Sequence, residues 1–285
     1  MRRTHKPAII NSPVTATIDS IGAQGDGLAD VNGKRIFVAF SAPGDTLRLS
    51  VTGARAEILE ILKPGADRVT APCKHFGVCG GCALQHLSDS FTADWKRQQI
   101  ITLLKRQNIE TDVRPAHTCP AGTRRRAAFA VERNGSDVQI GFRSRLSHRL
   151  VSLTECHVLD PAIIRVLPGL ATLASTFTGT KAQVRVNVTL TDTGLDVNIE
   201  TGKSQHLTLA QNTRFAEAAN VLDLARLCLN SEPVSVRRAP LAHFAGLPVS
   251  IPPGAFLQAS VEAQTALTAL VVQAMELIDD LALRA

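Results

Sequence analysis

The chain has 285 residues, 45% of them hydrophobic, enough for one to three domains with ordinary buried cores. Its 31 Lys and Arg against 25 Asp and Glu leave a formal charge of +6, which favours an anionic partner such as nucleic acid. Ten Phe, one Trp and no Tyr exclude a stacking-rich RNA binder, so any such contact leans on phosphate electrostatics.

The start, MRRTHKPAIINSP, is charged but has no long apolar run and no small-residue cleavage site. It reads as a flexible arm over 1–11 rather than a signal peptide. No stretch approaches the roughly 18 apolar residues of a membrane span, so a cytoplasmic protein with reduced cysteines and no membrane partner is expected. Residues 14–62 are short alternating runs joined by Gly-rich turns, the pattern of a small β-barrel. KPGADRVTAP makes a linker. Residues 91–107 predict an amphipathic helix capped by Thr92, with Trp95, Ile100, Leu103 and Leu104 on one face.

Residues 127–142 predict a hairpin around RNGS. A second hairpin runs QVRVNVTL–TDTG–LDVNIE. In it Val184, Val186, Val188 and Leu190 face one way, answered by Leu195, Val197 and Ile199. Residues 207–229 read as helix and 233–251 as short strands, so the middle of the chain is mixed α+β. The final SVEAQTALTALVVQAMELIDDLALRA predicts a helix with Leu267, Leu270, Val271, Ala274, Leu277, Ile278 and Leu281 at helical spacing. So apolar a face needs a partner, either the middle domain or a further domain that this helix opens.

Residues 73–82, CKHFGVCGGC, place Cys73, Cys79 and Cys82 at C-x5-C-x2-C. Tetrahedral zinc or a cubane iron–sulfur cluster needs a fourth ligand, from Cys119, Cys156 or Cys228. Cys228, in LARLCLN, reads as a buried structural thiol on a helical face. Cys119, in HTCP, reads as a loop cysteine. Spacing slightly prefers Cys156, in LTECHVLDP. A second zinc knuckle is absent, and Gly80–Gly81 lets the backbone wrap with N–H groups toward sulfide. Iron–sulfur is therefore ahead of zinc, with both open. Between Pro120 and Leu150, Arg124, Arg125, Arg126, Arg133, Arg143, Arg145 and Arg149 face only Glu132 and Asp137. Arginine suits phosphate through its bidentate fork, so this stretch is an expected RNA-facing surface, against the alternative of a solvated hairpin face.

CKHFGVCGGCALQHL, TRRRAAFAV, GFRSRLSHRLVSLTECHVLDP and PPGAFLQAS resemble the bacterial RNA uracil-5-methyltransferases, in particular the 23S ribosomal RNA type with a [4Fe-4S] cluster. The resemblance runs from about residue 12 to the end. It implies a multi-domain chain. Residues 12–68, with IGAQGDGLADVNGKRIFVAFSAPGD, are similar to an OB-like TRAM barrel that binds RNA. A central α+β domain over 69–250 carries the iron–sulfur segment. Residues 251–285 are the lead-in helix of a Rossmann-like methyltransferase domain that is otherwise missing.

The resemblance also implies Cys156 as fourth ligand, so that Cys73, Cys79, Cys82 and Cys156 hold the cluster. Gln258 matches a glutamine that contacts S-adenosylmethionine, and Phe256 an aromatic close to the target nucleotide. The family has Asn where this chain has Ser260. The family's Gly-rich donor loop, Asp-Pro-Pro-Arg segment and Ser-Cys-Asn-Pro nucleophile do not occur. The S-adenosylmethionine site is then incomplete, no catalytic residue is assigned, and the chain is expected to be a monomer that binds ribosomal RNA without methylating it. The alternative is a stand-alone iron–sulfur or zinc RNA-binding module.

Overall fold

The computed structural model describes residues 13–178, 184–202 and 206–282. The expected arm over 1–11 lies outside them. The chain forms two compact units: one takes in the described residues through Gly77 together with Cys82–Ala116, the other Val78–Gly81 and the residues from His117 onward.

The first unit is a mixed six-stranded sheet in the order β1-β5-β6-β4-β3-β2. Its strands are β1 (Val14–Thr17), β2 (Ser20–Ile21), β3 (Gly27–Val31), β4 (Lys34–Val38), β5 (Thr46–Thr52) and β6 (Arg55–Lys63). Asn32 and Gly33 join β3 to β4 with φ of 55° and 75°. Positive φ at both central residues is what a tight hairpin matching the strand twist needs, and Asn-Gly supplies it at low steric cost. Alternate residues Leu47, Leu49 and Val51 of β5 meet Ile36 and Val38 of β4 in the core. Helix α1 (Asp89–Arg106) starts at Ser88, whose Oγ accepts the Phe91 N–H, rather than at Thr92. Its Phe91 and Trp95 pack with Ile21, Ala42 and Leu87, while Ile100 and Leu103 of the expected apolar face are 49% and 55% exposed.

The second unit centres on a mixed seven-stranded sheet in the order β13-β12-β11-β10-β7-β8-β9. Both expected hairpins are present, β7 (Arg126–Asn134) with β8 (Asp137–Arg143) and β10 (Val184–Thr191) with β11 (Gly194–Glu200). In the second, Val186 pairs Ile199, Val188 pairs Val197 and Leu190 pairs Leu195. The remaining strands are β9 (Leu150–Ser152), β12 (Leu224–Leu229) and β13 (Glu232–Val236), with β14 (Leu241–Phe244) and β15 (Leu247–Ser250) as a separate hairpin. Helix α2 (Pro161–Ala174) has Asp160 as its cap and Pro161 in its first turn. Ile163, Leu167 and Leu170 of α2 are buried with Phe129, Val186 and Val197 of the sheet, each burial stabilising by roughly 1.5–3 kcal/mol.

Two expectations need correction. Residues 207–229 are not one helix. Helix α3 (Leu209–Val221) ends before β12, whose six residues are all buried and pair parallel with β11. Cys228 therefore sits on an interior strand. The layout of barrel, central domain and leading helix of an absent domain is also not what the chain adopts. It folds as two units on mixed sheets, and its last helix, α4 (Val261–Ala282), belongs to the second unit. There the α4 residue Gln264 is buried and donates Nε2–H to the His243 carbonyl at 2.6 Å. The side chains of Leu277, Ile278 and Leu281 lie outside the described residues.

Candidate functional site

In the second unit the entrance to β7 meets the segment leading into α4. Arg125 is only 3% exposed. Its backbone N–H donates to the Ala259 carbonyl at 2.8 Å, its Nε–H to the Gln258 carbonyl at 3.1 Å, and its Nη2–H to Gln264 Oε1. No carboxylate touches this guanidinium among the described residues. Burial lowers its pKa from the ordinary arginine value, while Asp192 and Glu262 pull it up at longer range. An arginine in this setting stays charged, so its charge is spent on carbonyl dipoles.

Arg126 points differently. Its Nη1–H donates to the Leu257 carbonyl at 2.8 Å, and its guanidinium lies 4.5 Å from the centroid of the Phe256 ring. That ring is 70% exposed, whereas the adjacent Leu257 is buried with Ala242 and Ile251. The buried leucine anchors the segment and leaves the aromatic face outward. Gln258 is half-buried, two residues before the cap of α4. Ser260, where the family pattern has Asn, accepts the Ala263 N–H at 3.1 Å and so caps that helix. Its hydroxyl also lies 3.2 Å from Cys119 Sγ. Asp192 accepts from both the backbone and Nδ1 of His243, at 3.0 and 2.6 Å. Asp192, His243 and Gln264 were not singled out in the sequence. Gln264 lies 139 positions from Arg125, and no local pattern links them.

The other expected arginines lie elsewhere. Arg124 is exposed at the start of this stretch. Arg143, Arg145 and Arg149 frame the loop between β8 and β9, where Arg143 pairs with Glu132 and donates to the His148 carbonyl. Phe256 and Gln258 are thus brought to Arg125 and Arg126, while the β8–β9 arginines form a separate basic patch.

Cys79 and Cys156 pack at the rim of the second unit's core, and Cys79 Sγ accepts the Gly81 N–H at 3.4 Å. The Gly80 N–H donates to the Arg143 carbonyl, and a Cβ at Gly80 would lie 2.6 Å from that oxygen, so only glycine fits. Cys73 and Cys82 belong to the first unit. Among the described residues no three His, Cys, Asp or Glu side chains are gathered to hold a metal ion. Around Cys79 the segment has the tight backbone and the N–H···S contact of a sulfur site. Cys228 is different again: burial pushes its thiol up to about 11, removing it as a ligand or nucleophile near neutral pH.

No protein-family model matches the chain. Over 263 residues it is 42% identical to an uncharacterized RNA methyltransferase of Caulobacter vibrioides, covering 90% of this chain and 63% of the relative. A Brucella suis protein of the same description is 37% identical over 259 residues, covering 90% and 61%. The relatives are RNA methyltransferases. Among them, the 23S rRNA (uracil(1939)-C(5))-methyltransferase RlmD of Halomonas elongata is 42% identical over 160 residues, covering 53% of this chain and 33% of the enzyme. The chain spans 61% to 63% of the length of the first two relatives. The fold matches that of the tRNA (uracil-54, C5)-methyltransferase of Pyrococcus abyssi, solved with S-adenosyl-L-homocysteine. The TM-score is 0.65 at 20% identity, over 91% of this chain and 64% of that one. The alignment with that methyltransferase structure therefore runs through both units.

Proposed function

We propose that this chain acts in S-adenosylmethionine-dependent methylation of uridine C5 in RNA, with ribosomal RNA as the substrate class, and that its own residues supply the RNA contact. The observation that carries this reading is the exposed Phe256 ring beneath the Arg126 guanidinium, two residues before Gln258, in a chain whose relatives are RNA methyltransferases. An aromatic face with a cation over it suits an unstacked base, the exposed Arg124 suits a phosphate, and Arg143, Arg145 and Arg149 suit phosphates at their separate patch. Gln258 is the proposed contact with the methyl donor. Cys73, Cys79, Cys82 and Cys156 are the proposed [4Fe-4S] ligands, supported by the C-x5-C-x2-C spacing and the N–H···S contact at Cys79. Such a cluster would add folding free energy to a segment with little core of its own.

The chemistry limits what the chain does by itself. Uracil C5 is a poor nucleophile. A thiolate must add at C6, so that the resulting enolate attacks the methyl carbon from C5 and releases S-adenosylhomocysteine. A base then removes the C5 proton as the thiolate departs. Cys228 is buried with a raised pKa. Cys119 is exposed, and among the described residues no histidine, lysine or carboxylate is bonded to it. The chain alone is therefore expected to bind RNA without turnover. Among the described residues neither Cys119 nor Cys228 is a prepared nucleophile, which favours a second reading, an RNA-binding module without catalysis.

Transfer of labelled methyl from S-adenosylmethionine to a ribosomal RNA fragment, with RNA retention measured in parallel, tests this. Salt-dependent retention without transfer is expected. Turnover abolished by Cys119→Ser would overturn the inactive assignment, and absence of RNA retention would overturn the reading as a whole.

A further inference from the structure

The loop between β8 and β9, SRLSHR at 144–149, is closed at its base by Ser144 N–H to the Arg149 carbonyl at 2.8 Å. Further bonds run from Ser147 N–H to the Ser144 carbonyl, from Arg149 N–H to Ser147 Oγ, and from Arg143 to the His148 carbonyl. The loop is therefore ordered by its own backbone. At its tip Leu146 adopts φ 54° and is 82% exposed.

Two penalties coincide there. A left-handed backbone costs a residue with a Cβ on the order of 1 kcal/mol or more, and an exposed leucine gains nothing from burial. The other positive-φ residues of the described chain are small or polar apart from Phe40. Phe40 has a packing reason, since its ring meets Phe76 edge-on at a centroid distance of 5.1 Å. Leu146 has none. Strain that the fold does not use points to a role outside it. The surroundings indicate which. From Arg143 to Arg149 there are three arginines and a histidine and no acid. Arg143 is already paired with Glu132, whereas Arg149 is exposed. A lone leucine in this basic segment is too small an apolar patch for a stable protein interface, but it fits a wedge against bases whose flanking phosphate Arg149 meets.

We propose that Leu146 is a wedge that packs against unstacked bases of a structured RNA, with Arg149 on the flanking phosphate. The wedge selects bulged or looped RNA over continuous duplex, because only splayed bases expose their faces to an apolar side chain. This rests on the RNA-binding reading above and adds a recognition element apart from Phe256.

The test is Leu146→Gly, with Leu146→Ala as a companion that keeps the Cβ. Glycine adopts the left-handed backbone freely, so the thermal midpoint should stay level or rise. Affinity for a hairpin RNA with an open loop should nevertheless fall about tenfold. Affinity for a fully paired duplex and the slope of log affinity against log salt should be unchanged, since no charge is lost. Arg149→Gln should instead flatten that slope. A 2-aminopurine in the loop should brighten on binding the native chain and not on binding Leu146→Gly. Equal loss on duplex and loop RNA, or none on either, would overturn the wedge while leaving RNA binding intact. Unchanged RNA affinity with loss of self-association in sedimentation would reassign the tip to a protein contact. Absence of RNA binding by the native chain would sink the underlying reading instead.

Discussion

Arg125 donates from its backbone and its side chain to Ala259, Gln258 and Gln264, while Arg126, next in the chain, leans out over Phe256. In the sequence the two are equivalent members of a basic run. What separates them is the alternation of a strand entrance, which sends one side chain inward and the next outward. Arg125→Gln should destabilise the second unit by about 2 kcal/mol, the scale of hydrogen bonds from a charged donor that leave buried carbonyls unmet. Its salt slope for RNA binding should stay that of the native chain. Arg126→Gln should do the reverse, costing little in denaturant midpoint but flattening the slope by about one unit. A flattened slope for Arg125→Gln would mean that its charge reaches phosphate after all.

At the scale of elements, β12 shows why periodicity has limits. LARLCL is apolar at nearly every position, and a short strand buried on both faces has no pattern to tell it from a helix. Helix α2 carries Pro168 in its interior, and a local pattern reads proline there as a breaker. In the first unit the segment before α1 is pinned by His86. Its Nε2 lies 3.0 Å from the Ser41 carbonyl, so Nε2 carries the proton and Nδ1 is left as a buried acceptor without a partner among the described residues. Burial lowers the His86 pKa from its usual 6.5, and Arg68 lowers it further, against opposing pulls from the Ser41 carbonyl and Asp45. Because the unfolded state takes up a proton first, this contribution to stability is present above pH 6.5 and declines as pH falls toward the lowered folded value. The thermal midpoint of the native chain should drop over that window. His86→Gln should lower the midpoint at neutral pH and flatten the drop. An equal drop in both proteins would assign the effect to other groups.

Considered whole, the chain carries four proposed cluster ligands, Cys73, Cys79, Cys82 and Cys156. Protein purified without oxygen should be brown, with about four irons and four acid-labile sulfides per chain. Cys156→Ser should lose both metal and stability, whereas Cys228→Ser should keep the metal, because that thiol is sealed in the sheet. Stoichiometric zinc without sulfide would replace the cluster by a structural zinc site, and no metal at all would remove the proposal.

The sequence by itself determined the two hairpins and their facing residues, the existence of α1 and α4, and the basic stretch, because each rests on contacts within a few positions or one turn. It also carried the resemblance to RNA methyltransferases in short motifs. Only the tertiary structure decided that α4 belongs to the second unit, that LARLCL is an interior strand, and that Arg125 is buried while Phe256 is exposed. These depend on partners more than a hundred positions away, such as Gln264 on Arg125, or on a parallel pairing between β11 and β12. No local pattern encodes such contacts. They arise when apolar surfaces close on one another and the buried polar groups must find whatever donors and acceptors the fold places beside them.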